Sequence, residues 1–136
     1  MLFDFAVYDK HGQLAVVVEA KSRSGTSRAW AEHWRRGTPV ATAHFILLMA
    51  KDRTYVWHGR HGKTIELDTA KLLGPVLQRA RVDLQSLDPW TFELLVGSWL
   101  SDVATAAGEP AAYSELLALG VVDAMRGGQV MHEVAA

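Results

Sequence analysis

Three residues near the start of the chain could do metal-assisted chemistry together: Asp4, Glu19 and Lys21. Two carboxylates supply hard oxygen ligands, which suit Mg²⁺ or Mn²⁺ better than zinc when further positions are left to water and phosphate. A cation held there polarises a phosphoryl oxygen and lowers the pKa of a bound water, while a neighbouring ammonium steadies the negative charge that develops. The condition is that the three side chains meet, and that depends on how the first twenty residues fold.

Leu2 to Asp9 and Leu14 to Ala20 are rich in Val, Phe and Tyr, and Lys10-His11-Gly12-Gln13 between them suits a tight hairpin turn. With His11-Gly12 as a two-residue turn, Lys10 pairs with Gln13 and Asp4 falls directly opposite Glu19. A four-residue loop leaves that register unchanged. Side-chain alternation then puts Asp4, Glu19 and Lys21 on one face beside the small Ala6 and Ala15, and Phe3, Phe5, Val7, Leu14, Val16 and Val18 on a core-packing face. Two opposed carboxylates repel, and a bound divalent cation would relieve the repulsion. The same charged residues would also suit a solvated sheet edge, where charge blocks edge-to-edge association.

The elements that follow must support this hairpin. Ser22 to Ser27 provides turn and cap residues, with Thr26 or Ser27 capping a helix that ends near Gly37. Trp30 and Trp34 share one face of it and are expected to pack on a sheet. The apolar run His44 to Ala50 reads as a central strand, and Lys51-Asp52-Arg53 turns it into a partner, Thr54 to His58. The first sixty residues thus read β-β-α-β-β. After a loop at Gly59 to Lys63, Asp68 caps a helical segment, interrupted or restarted at Pro75, that reaches about Leu84. Ser86-Leu87-Asp88-Pro89 opens a second helix carrying Phe92, Leu95, Val96, Trp99, Leu100 and Val103 at helical spacing. Gly108-Glu109-Pro110 ends it, Ala111 to Leu119 is expected to be helical, and Arg126 to Gln129 leads into a short strand, Val130 to Val134.

A chain of 136 residues that is 49% hydrophobic can bury one core, so a single domain over 1–136 is expected, with a motif-bearing sheet and helix in 1–58 and a helical part with a short last strand in 64–136. The net charge of −1, from 14 basic and 15 acidic residues, argues against a surface coated for indiscriminate nucleic-acid binding, so such binding would need a local patch. Without cysteine there is no disulfide framework, thiolate nucleophile or cysteine-ligated zinc. The opening MLFDFAVYDK lacks the charged and apolar regions of a secretory signal, and the longest apolar run, Phe45 to Ala50, is far short of the roughly 20 residues of a membrane span. A cytoplasmic protein with no membrane partner is expected.

Asp4 followed by Glu19-Ala20-Lys21 resembles the motif of the PD-(D/E)xK, or restriction-endonuclease-like, nuclease superfamily, and the resemblance covers about Leu2 to Trp57. It implies an α/β fold with a restriction-endonuclease-like mixed sheet core and C-terminal helices. It also implies an endonuclease-type hydrolase using magnesium or manganese to cut phosphodiester bonds of DNA or RNA. Asp4, Glu19 and Lys21 would be catalytic, with Asp4, Glu19 and the backbone carbonyl of Ala20 as metal ligands. The motif proline is replaced by Phe3, and the helix that leads the family's core is expected to be absent or permuted. Trp90-Thr91-Phe92-Glu93-Leu94-Leu95-Val96 resembles that leading helix, and by this likeness Glu93 would join the metal ligands, from this chain or a partner chain. An amphipathic helix with one solvated acid gives the same pattern.

Arg23, Arg28, Arg35 and Arg36 make Lys21 to Gly37 the most basic window and are the candidates for phosphate contact, against the alternative of a solvated helix face. His58 and His61 lack an announced third zinc ligand, and Gly127-Gly128 lacks the context of a phosphate loop. The expected partner is nucleic acid, DNA ahead of RNA, with a homodimer or partner protein alongside. The competing class keeps the fold without catalysis, as a nucleic-acid-binding or protein-assembly module.

Overall fold

The computed structural model describes residues 2–39, 42–59, 62–105 and 113–135. Six strands form one open mixed sheet in the order β5-β4-β3-β2-β1-β6. The strands are β1 (Leu2–Tyr8), β2 (Leu14–Lys21), β3 (Phe45–Ala50), β4 (Arg53–His58), β5 (Ile65–Asp68) and β6 (Gln129–Ala135). β2 and β3 run parallel, and the remaining neighbours are antiparallel. The parallel pair needs a crossover, supplied by helix α1 (Arg28–Arg36). The β-β-α-β-β order read from the sequence is therefore present. β5, placed by the sequence in the approach to a helix, extends the sheet beyond β4, and β6 joins the two parts of the chain in a single sheet.

Helices cover both faces of this sheet. On one side Trp30 and Trp34 of α1 pack against Tyr55 and Trp57 of β4, with ring centroids 6.1 and 6.0 Å apart. Packing, as expected, is what these tryptophans do. On the other side lie α2 (Thr69–Ala80), α3 (Pro89–Ala104), α4 (Ser114–Leu119) and α5 (Val121–Met125). Their Leu72, Leu73, Phe92, Val96, Leu116 and Val122 share a core with Val16, Val18, Leu47 and Val56 of the strands. Because β2 and β3 are covered twice, their apolar residues run on without alternation, as Phe45 to Ala50 shows.

Caps fix where the helices begin. Ser27 accepts from the Trp30 N–H at 3.1 Å, Asp68 from Ala70 at 3.0 Å and Asp88 from Thr91 at 2.7 Å. Pro75 sits within α2 without ending it, so that helix runs unbroken to Ala80. A short 3-10 turn at Leu84–Ser86 precedes α3. There the buried Lys51 ammonium donates to the carbonyls of Gln85 and Leu87, at 3.1 and 2.5 Å, tying the β3–β4 turn to the approach to α3. The Gly108-Glu109-Pro110 turn, and His61 of the two-histidine pattern, lie outside the described residues.

Candidate functional site

The hairpin closes differently from the expected two- or four-residue turn. The Asp9 N–H bonds to the Gln13 carbonyl at 2.8 Å and the Gly12 N–H to the Asp9 carbonyl at 2.9 Å. This is a three-residue loop, with Gly12 at φ 79 in the left-handed region that glycine favours. Such a loop pairs Tyr8 with Leu14, which is one step out of the register that would bring the acids together. The register shifts between Val7 and Tyr8, where Ala15 is the extra residue of a bulge, and Val7 then faces Val16, Ala6 faces Val17 and Phe5 faces Val18. Loop and bulge cancel, so that the register at Phe5–Val18, carried one step further, would set Asp4 opposite Glu19.

The faces of the hairpin need correction. The bulge sends Ala15 to the same side as Val16, into the core under α3, so it does not flank the acids. Leu14 and Phe3 pack on the α1 side, whereas both were expected among the residues facing the other way. Phe3 and Ala6 belong to one core and Phe5 to the other, so strand alternation is interrupted around Asp4. The interruption has a visible partner: Asp4 Oδ2 accepts the Ala20 N–H at 2.7 Å. In an extended strand the N–H and carbonyl of one residue lie along the same edge. The Ala20 carbonyl therefore points to the Asp4 edge, where the β1–β2 ladder has ended at Phe5–Val18.

Around Asp4 the carboxyls perturb one another. Burial raises the Glu19 pKa to about 8, helped by its hydrogen bond to Asp4 and the Asp4 charge and opposed by Lys21. Burial also raises that of Glu93, again with a hydrogen bond to Asp4, while His132 pulls it the other way. Burial would raise Asp4 too, but bonds from Glu19, Glu93 and the Ala20 N–H outweigh it and hold Asp4 below the ordinary value. Asp4 is thus pulled towards its charged form, between two carboxyls whose pKa values are pushed up. Glu93 reaches it from α3 of the same chain. Lys21 Nζ lies 3.9 Å from Glu19 Oε2, with its side chain 43% exposed.

One member was missed by sequence reading. His132 on β6 sits with Nε2 2.9 Å from Glu93 Oε2. Its only sequence signal is a place in the predicted strand Val130 to Val134, and nothing local shows that this strand would lie beside Asp4.

Mg²⁺ or Mn²⁺ is the group these residues would hold, and the donor set is the test of fit. Asp4 and Glu19 are facing oxygen donors whose mutual repulsion is relieved by a proton, and a hard cation can replace that proton. Among the described residues, no group of three or more His, Asp or Glu side chains is placed to hold a metal ion by itself. Asp4, Glu19 and the Ala20 carbonyl would supply part of a coordination sphere and water the rest, which suits Mg²⁺.

The four arginines do not form one patch. Arg23 lies over the Trp30 ring at 5.0 Å, and Arg28 is held by Glu66 through Nε and Nη2 at 3.2 and 2.9 Å. Arg35 donates to the Thr38 carbonyl at 3.2 Å and, with Arg36 and Lys63, lines a cavity of about 270 Å³ beside Trp57. Since α1 runs back against β2 and β3, that cavity is at the opposite end of the sheet from Lys21. The nine residues of α1 separate the two ends by roughly 14 Å.

Comparison with protein-family models, with curated proteins and with solved structures gives no match. The α/β class and the six-stranded mixed sheet stand on the fold itself. No helix among the described residues is long and apolar enough to cross a membrane.

Proposed function

We propose that the chain is a restriction-endonuclease-like, divalent-metal-dependent nuclease that hydrolyses phosphodiester bonds in nucleic acid. The observation that carries this reading is the convergence on Asp4 of Glu19 from β2 and Glu93 from α3, with Lys21 beside Glu19. Three acids drawn from separate elements towards one point differ from an edge guard, which needs charges spread in water. When bound, the cation would polarise the phosphoryl oxygen and acidify a water. Asp4 and Glu19 would hold it, the Asp4 bond to the Ala20 N–H fixing the angle of the first carboxylate. Lys21, with its ammonium open to solvent, would orient the attacking water and stabilise charge on the phosphoryl group. Arg23 is the arginine nearest Lys21 in the chain and the first candidate for a phosphate contact. Arg28, Arg35 and Arg36 would act only on a substrate long enough to follow α1.

The test is cleavage of labelled single- and double-stranded DNA and RNA with Mg²⁺, Mn²⁺ or EDTA, comparing the wild type with Glu19→Ala and Lys21→Ala. The reading requires metal-dependent cleavage that both substitutions remove. A second reading, the same fold as a non-catalytic binding or assembly module, is favoured by the exposed Trp90, Leu94 and Met131, which are 63%, 52% and 41% accessible. Self-association lost in Trp90→Ser, with no cleavage in any metal, would select it.

A further inference from the structure

We infer that His132 is a positioning residue of the acid site, holding Glu93 in place against Asp4. The inference rests on the reading of Asp4, Glu19 and Glu93 as metal ligands. β6 pairs with β1 in a register that sets His132 directly across from Phe5, the residue after Asp4. The imidazole stacks on the Phe5 ring, with centroids 5.0 Å apart and planes 23° from parallel. Phe5 in turn presses on α3 at Gly97, where a Cβ would come within 2.9 Å of the ring. Glu93 stands one helical turn before Gly97, on the same face of α3. The ring plane of His132 is thus set by Phe5, and its Nε2 is aimed at Glu93 Oε2 at 2.9 Å.

This chain of contacts gives Glu93 two partners, Asp4 and His132, from two adjacent strands. A glutamate on a helix has three rotatable side-chain bonds, and a partially exposed one would lose that freedom on joining a metal site. A hydrogen bond on its far side restricts it beforehand. Partners that orient ligands in this way typically change metal affinity by 10- to 100-fold when removed. His132→Phe keeps a ring to stack on Phe5 and removes the bond, whereas His132→Gln keeps a donor. The two substitutions separate packing from positioning.

The probe is Mn²⁺ alone, titrated by calorimetry into the full chain as wild type, His132→Phe, His132→Gln and Glu19→Gln. His132→Phe is expected to weaken Mn²⁺ binding about 10-fold or more and His132→Gln by no more than about threefold, with thermal unfolding little changed. Wild-type affinity in His132→Phe would overturn the role of His132 and leave the site standing. Wild-type binding that is absent, or indifferent to Glu19→Gln, would remove the site and this inference with it. A measurement on the wild type guards against variants that fail to fold. Mg²⁺ should move the ring resonances of His132 and leave those of the exposed His11 and His33, and an unmoved His132 signal would contradict the proposal.

Discussion

Glu19 gives the chain an unusual dependence of stability on pH. Its side chain is only 8% exposed and interacts with Asp4, and its pKa rises from 4.5 to about 8. For an acid raised in the folded state, the protonated form is the one that folding favours. Its contribution is fully present below about pH 4.5 and is lost as pH rises through about 8. The rise corresponds to at most about 5 kcal/mol. Solvent screening beside the half-exposed Lys21 reduces this, so about 2–4 kcal/mol is expected. Glu19→Gln replaces the acid with a group that is neutral at every pH and can still donate to Asp4. Denaturant unfolding with EDTA present should show wild type and variant close together near pH 5, and the wild type weaker by that amount near pH 9. Mg²⁺ at the higher pH should restore the wild type and leave the variant unchanged, because binding requires the ionised pair. Parallel stability curves for the two proteins across this range would refute the reasoning.

Three further substitutions probe the frame around the site. Gly97→Val forces a side chain onto the Phe5 ring, so a loss of about 1–3 kcal/mol is expected by thermal unfolding, with shifted His132 resonances. Lys51→Ala leaves the Gln85 and Leu87 carbonyls without their ammonium partner, and a loss of about 2–3 kcal/mol should appear in denaturant unfolding. Asp88→Ala removes the bond to the Thr91 N–H at the start of α3 and should cost about 1 kcal/mol, with faster amide exchange in the first turn of that helix.

Much of the site was legible before the fold was known, and the reasons differ by residue. Asp4 and Glu19 meet because hairpin pairing is local and nearly any loop that preserves the register suffices. The path to that register was not legible. A three-residue loop and a bulge at Ala15 cancel each other, and the sequence Lys10-His11-Gly12-Gln13 is compatible with several loop lengths. Face assignments failed where that bulge, and the Asp4 bond to the Ala20 N–H, interrupt strict alternation at Ala15, Leu14 and Phe3. Glu93 could be named only through the resemblance of Trp90 to Val96 to a nuclease leading helix, since the apolar pattern alone fits a solvated acid and only packing decides which way it faces. His132 could not, since its place depends on β6 pairing with β1 from the far end of the chain. The short β5 was hidden because Ile65 to Asp68 is four residues long, too few for a periodic signal, and runs directly into the Asp68 cap of α2. The arginines looked continuous in sequence, but a helix running back along the sheet carries Arg35 and Arg36 away from Lys21.

The proposed metal-dependent hydrolytic site is made of Asp4, Glu19 and Lys21. It is tested most directly by incubating end-labelled single- and double-stranded nucleic acids with purified wild type, Glu19→Ala and Lys21→Ala, each in Mg²⁺, in Mn²⁺ and in EDTA. Cleavage by the wild type in Mg²⁺ or Mn²⁺ that disappears in EDTA and in both variants is the expected result. Equal cleavage by all three proteins, or none by the folded wild type in either metal, would contradict it.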